Sequence, residues 1–194
     1  MSCKLLYGVG ITGDMICKVD GKMTPEYTLW SNMLARCYSD KYKIKNPHYV
    51  GCSVSDNFKD FRYFISWCSK QKGYKSKGWA LDKDILVKGN KEYSEDTCCF
   101  VPREINNLLT KRDRKRGNLP LGVTLQKSTG KYSVYISIKG KIKNFGTFTC
   151  INDAFETYKT VKLEYIKSVA NDWKEYLDVR VYNALLSWDI DISD

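Results

Sequence analysis

The chain has 194 residues, 43% hydrophobic and 13% aromatic, which is enough to build the core of one ordinary domain or two small ones. Thirty-two Lys and Arg against 22 Asp and Glu leave a formal charge of +10, so an acidic partner is expected, nucleic acid first and anionic membrane second. No apolar run approaches the ~20 residues that span a bilayer, and MSCKLLYGVG lacks the apolar length and cleavage pattern of a signal peptide. These features exclude a membrane-spanning reading and point to a cytoplasmic protein.

The eight cysteines, at 3, 17, 37, 52, 68, 98, 99 and 150, contain no CxxC, and the only histidine is His48. That spacing suits neither a Cys₄ nor a Cys₂His₂ zinc site, so reduced and mostly buried thiols are expected. Residues 3 to 20 read as a short hairpin. Gly8, Gly10 and Gly13 match GxGxxG, but no helix follows them, so they are read as turn glycines and not as a dinucleotide loop.

Thr24-Pro25 opens a helix bearing Trp30, Met33, Leu34 and Cys37. A second helix is expected from near Asp56, with Phe58, Phe61, Phe64, Ile65 and Cys68 on one face. After Gly78, the stretch LDKDILVKGNKEYSEDTCCF reads as two extended pieces joined by a turn at Gly89-Asn90, and VPREINNLL as a short helix. Asp82 and Asp84, two residues apart in a strand, would share a face and could hold a metal together.

Charge is unevenly spread beyond this point. Between Lys111 and Lys143 there are ten basic residues and one acid, whereas 171–194 carries six acids against two bases. The acidic partner is therefore expected to meet the region 111–143, through Lys111, Arg112, Arg114, Lys115 and Arg116 of the basic run and through Lys141 and Lys143 beyond it. From Gly122 the pattern changes to period two, with Val134, Ile136 and Ile138 on one face and Gly130 and Gly140 at the turns, which predicts a three-stranded antiparallel meander. A helix follows, with Asn152 as the expected N-cap and Ala154, Phe155, Tyr158, Val161, Tyr165 and Ile166 on its apolar face. The other face of the sheet, with Thr124, Gln126, Lys131, Ser133, Tyr135 and Ser137, is expected to stay open. The tail places Trp173, Tyr176, Leu177, Val181, Leu185 and Trp188 near helical spacing and is expected to pack back on the body.

Two resemblances span roughly residues 24 to 168. The ordered set Trp30, Met33, Arg36, Cys37, Tyr38, Tyr49, Gly51, Trp67, Leu81, Asp82, Gly89, Asn90, Tyr93, Cys98, Asn106 and Asn107 resembles phage HNH-type homing endonucleases. GVTLQKSTGKYSVYISIKGKIKNFGTFTCINDAFETYKTVK resembles the Apetala-two/ethylene-response-factor type of DNA-binding domain. The first resemblance implies DNA phosphodiester hydrolysis with a divalent metal such as Mg²⁺, Asp82 falling at the metal-binding position and Asp84 as a second ligand. Lys83 stands where better-equipped members carry the catalytic histidine, and Thr97 where many carry Asn. A non-catalytic DNA-binding protein on the same scaffold is the competing implication, and an inhibitor binding a host protein a weaker third. The second resemblance implies a sheet laid in the major groove of double-stranded DNA, with contacts carried to Thr124, Gln126, Lys131, Tyr135, Ser137 and Asn144.

The expected architecture is therefore α+β. A nuclease-like ββα-containing module over 1–110 and a basic linker over 111–120 precede a sheet-plus-helix DNA reader over 121–170 and a C-terminal helix or tail over 171–194.

Overall fold

The computed structural model describes residues 5–110 and 119–193. The chain is mixed α+β and divides between Pro102 and Arg103 into two compact units. The short helix after the CCFVP strand thus belongs with the second unit.

Among the described residues the first unit opens with a tight turn in which Leu6 pairs with Gly10, and then forms a ribbon of β1 (Lys18–Val19) and β2 (Lys22–Met23), in place of the single hairpin expected over residues 3 to 20. Helix α1 (Pro25–Tyr38) starts where expected: Thr24 Oγ1 accepts from the Tyr27 amide at 3.2 Å, and Pro25 takes a position whose missing N–H costs nothing. Ser39 then caps α2 (Asp40–Lys45). Helix α3 (Phe61–Ser69) begins later than the apolar spacing suggests, because Asp60 caps it through the Tyr63 amide at 3.0 Å. Phe58 sits ahead of it in a 3₁₀ turn, Asn57–Lys59.

Trp30, Met33 and Leu34 of α1 meet Phe58, Phe61, Phe64 and Cys68 in one buried cluster with Leu81, Tyr93, Cys98 and Phe100. Trp30 is fully buried, and its indole N–H donates to the Phe58 carbonyl at 2.8 Å, so the ring is packed without stranding its polar atom. Cys37, Cys52, Cys68, Cys98 and Cys99 are buried free thiols, and burial raises the Cys37 thiol to about 12. They behave as small apolar residues.

The stretch from Leu81 to Phe100 does not fold back on itself as a simple hairpin. Strand β4 (Trp79–Asp82) pairs antiparallel with β6 (Cys99–Pro102), while β5 (Glu92–Tyr93) pairs parallel with β3 (Ser53–Val54). The intervening loop is tied across its neck by Asn90. Its Nδ2 donates to the carbonyls of Lys83 at 2.8 Å and Glu92 at 2.5 Å, and its Oδ1 accepts from the Glu92 amide.

In the second unit, α4 (Arg103–Leu109) precedes the meander of β7 (Val123–Gln126), β8 (Lys131–Ile138) and β9 (Lys141–Phe148), in spatial order β7-β8-β9. One face of this sheet packs on α5 (Ile151–Asp172). Val123, Val134 and Ile136 meet Ala154, Phe155 and Tyr158 there, and Ile190 closes the cluster. The cap of α5 is Cys150 and not Asn152, and it makes no side-chain cap bond. Gly122 lies with φ +70° against the Tyr158 ring, where a Cβ would overlap the ring atoms. Helix α6 (Val179–Leu186) starts at Asp178 and buries Val181 and Leu185, so the tail does pack on its own unit. No helix among the described residues is long and apolar enough to cross a membrane.

Candidate nucleic-acid interface and the Asp82 loop

The expectation that Asp82 and Asp84 share a strand face is not met, because β4 ends at Asp82 and the chain then bends. Asp82 works instead as a loop cap: its Oδ1 accepts from the amides of Asp84 at 2.7 Å and Ile85 at 2.9 Å. Burial pushes the Asp82 carboxyl above the ordinary carboxylate range, against those two backbone donors, which lower it. Asp84 is half-exposed, and its Oδ1 already carries the Lys83 ammonium at 2.5 Å.

Lys83 is only 6% exposed and also donates to the Asn90 carbonyl at 2.6 Å. Its ammonium is thus engaged on two sides, which is the geometry of a structural cation and not of a base awaiting a proton. Thr97 likewise serves its turn, accepting from the Ser94 amide at 3.1 Å and donating to the Glu92 carbonyl at 2.8 Å.

A divalent ion needs several oxygens left free to converge on it. Here one oxygen of Asp82 is held by two amides and one of Asp84 by an ammonium. No group of three His, Cys, Asp or Glu among the described residues is placed to hold a metal. These residues do not fit the ion that the nuclease resemblance implies. His48 lies in the 3₁₀ turn Pro47–Tyr49, its ring centroid 4.3 Å from that of Tyr49.

The side chains that do converge around this loop are others. From α1, Arg36 Nη1 donates to the Tyr93 hydroxyl of β5 at 3.2 Å, and its guanidinium lies 5.7 Å from the centroid of the Tyr49 ring. Lys83 Nζ approaches the same Tyr93 ring, 5.8 Å from its centroid. Arg36 and Tyr93 are 57 residues apart, so no local pattern could have paired them.

In the second unit the open sheet face can be assigned from the register. Directly opposed residues of an antiparallel pair share a face. The pairs Thr124–Ser133, Gln126–Lys131, Ser133–Thr147, Tyr135–Asn144 and Ser137–Ile142 therefore place these side chains together, opposite the Val134 and Ile136 face that meets α5. Thr124, Lys131, Tyr135, Ser137 and Asn144 are exposed.

Three features differ from expectation. Lys141 and Lys143 oppose Ile138 and Ile136, so they belong to the helix-side face, although both are exposed. The cause is the two-residue turn Lys139-Gly140, both at positive φ (49° and 76°), which fixes Ile138 against Lys141. Gln126 is spent inside the sheet and Ser133, expected to stay open, is buried there: Gln126 Nε2 donates to Ser133 Oγ at 2.7 Å, its Oε1 accepts from Thr129, and Ser133 reaches Thr147 at 3.0 Å. Ile142 and Thr147, absent from the sequence-based set, are on the open face, and Ile142 is 77% exposed. Counting outward from the Lys139-Gly140 turn would have found Ile142. Thr147 needs the bulge between Ser133 and Tyr135 as well.

The basic character of this face rests on Lys131 among the described strand residues, and the rest is hydroxyl, amide and apolar. Lys111, Arg112, Arg114, Lys115 and Arg116 lie outside the described residues. Asn144 Oδ1 accepts from the Gly146 amide at 2.8 Å, which orients its amide and leaves the NH₂ without a partner among the described residues.

No family model matches the sequence, and neither a curated protein nor a solved structure matches it significantly.

Proposed function

We propose that this chain is a double-stranded DNA-binding protein that reads the duplex with the open face of its three-stranded sheet. The observation that carries this reading is the uncovered face itself. Thr124, Lys131, Tyr135, Ser137, Ile142 and Asn144 stand together on it, in a chain of formal charge +10.

Strands lie about 4.8 Å apart, so three span roughly 10 Å, within a major groove about 12 Å wide. The side chains suit base edges: Asn can pair with adenine, hydroxyls with any edge, and Ile142 with a thymine methyl. Phosphate contacts would then come from Lys131 and the basic run at 111–116, supplying affinity without sequence information.

Hydrolysis of DNA with a divalent ion, which the first resemblance implies, does not follow from this geometry, because Asp82, Lys83 and Asp84 are committed to bonds within their own loop. A regulator or site blocker on a nuclease-like scaffold is the form of the proposal that the residues support. A purified full-length chain offered a random duplex pool should select a restricted, A·T-containing motif. Binding should weaken by about a thousandfold between ~50 and ~200 mM salt if several phosphates are contacted. Equal binding by Tyr135→Ala/Asn144→Ala and the parent chain overturns the sheet reading. Incubation of the same DNA with Mg²⁺ or Mn²⁺ is the second arm, and cleavage that disappears in Asp82→Asn would establish the nuclease instead.

A further inference from the structure

The first unit contains a charged cluster that the sheet reading does not use. Four segments bring it together: α1 supplies Arg36, the turn Pro47–Tyr49 supplies Tyr49, the bend after β4 supplies Lys83, and β5 supplies Tyr93. The two cations bracket one phenol, Arg36 Nη1 on its hydroxyl at 3.2 Å and Lys83 Nζ 5.8 Å from its ring centroid.

Their partners are unequal. Lys83 has the Asp84 carboxylate and the Asn90 carbonyl. Arg36 has the Tyr93 hydroxyl and the Tyr49 ring at 5.7 Å, and no carboxylate among the described residues pairs with it.

A guanidinium carries five N–H donors, and Arg36 is only partly buried, with none of its nitrogens both buried and unpartnered, so donors that Tyr93 does not use remain open to an incoming group. One hydroxyl bond leaves most of that fork unused. The planar fork matches two oxygens of a tetrahedral anion, and Lys83 adds charge behind it without having to leave its own bonds. A phosphate offers two or more charged oxygens to such a site, whereas a carboxylate side chain offers two oxygens and a single charge.

We infer that the first unit holds an anion site, formed by Arg36 with Tyr49, Tyr93 and the background charge of Lys83, which takes one phosphate group. Tyr93 is its positioning residue, because its hydroxyl fixes the guanidinium. The phosphate can come from a DNA backbone or from a free nucleotide, and both present the same chemistry to Arg36.

The test is a titration of the full chain with inorganic phosphate at constant ionic strength, chloride replacing phosphate, followed by calorimetry and ³¹P line broadening. Saturable binding is expected, with a Kd on the order of 1 mM or tighter. Arg36→Gln should weaken it at least tenfold. Tyr93→Phe, which keeps the buried ring and removes the hydroxyl, should weaken it about threefold or more with melting temperature as the fold control. Lys70→Gln, an exposed lysine of the first unit outside both sites, should leave it unchanged. No saturable binding by the parent chain overturns the site, and so does parent-like binding by Tyr93→Phe, which decides the matter if Arg36→Gln fails to fold.

Repeating the titration with a deoxynucleoside monophosphate and with a short duplex identifies the source. Weakened duplex binding by Arg36→Gln assigns the site to backbone phosphate. Weakened mononucleotide binding with unchanged duplex binding assigns it to a free nucleotide. Because the phosphate titration does not involve the sheet, the loss of the DNA reading would leave this result intact.

Discussion

The two regions that the sequence marks for chemistry are built in opposite ways. In the Asp82 loop the polar groups bond to one another: Asp82 to two amides, Lys83 to Asp84 and a carbonyl, Asn90 across the neck. On the sheet the polar groups of Thr124, Lys131, Tyr135 and Ser137 are displayed to solvent. Buried polar groups must be paired inside the protein, whereas exposed ones can exchange water for a ligand. Identity of residue type alone therefore says little about role. A carboxylate whose oxygen is held by two backbone donors is a structural part, and a threonine on an open strand is available for recognition.

That contrast can be broken most severely by destroying one unit at a time. Trp30→Ala removes a fully buried ring and its 2.8 Å bond to Phe58, and should cost the first unit about 3–5 kcal/mol. Gly122→Ala should disrupt the second unit comparably, because the Tyr158 ring occupies the space and φ is +70°. Calorimetry of each variant should show one transition lowered and the other retained; lowering of both transitions by either variant would show that the units are not separable.

A finer cut separates a capping carboxylate from a catalytic one. Asp82→Ala strands two amides and should cost about 1–3 kcal/mol, while Asp82→Asn keeps the acceptor and should cost much less. The pH dependence has the matching sign. Asp82 binds its proton more tightly when folded, so its contribution favours the folded state at low pH. It is lost as pH rises from the ordinary carboxylate range through the raised folded value. Asp82→Asn should flatten that slope in a denaturation series, and an unchanged slope would place the effect elsewhere.

On the sheet the ordering should follow the register. Loss of Asn144 or Tyr135 should reduce DNA affinity by about ten- to a hundredfold, at roughly 1–3 kcal/mol for a base contact. Lys141→Ala and Lys143→Ala, on the other face, should cost less and lower the salt slope if they touch phosphate at all. Equal losses at Lys143 and Asn144 in a gel-shift series would refute the face assignment.

The smallest effect concerns Lys162 on α5, which burial lowers to about 8. In this case the folded state holds its proton less tightly, so stability should rise between pH 8 and the ordinary lysine range. Lys162→Met should raise stability at neutral pH by roughly 1 kcal/mol and remove that rise. A destabilised variant in thermal melts would mean that the ammonium has a favourable partner.

Periodicity and local caps determined much of this fold directly. Thr24-Pro25 starts α1, alternation from Val123 to Phe148 makes the meander, and the apolar face of α5 follows its 3.6-residue repeat, because each depends on residues within a few positions of one another. The same locality fixed Lys139-Gly140 as a turn. What it could not fix is which strand meets which. LDKDILVKGNKEYSEDTCCF looks like a hairpin, yet its ends pair as β4 with β6 while its middle leaves to join β3, a choice made by burial of Tyr93, Leu81 and Phe100 in a shared core. From that tertiary choice follow the bend that separates Asp84 from Asp82 and the meeting of Arg36 with Tyr93. Sequence determined which residues could carry charge and polarity, and only long-range packing decided which of them bond to each other and which face outward.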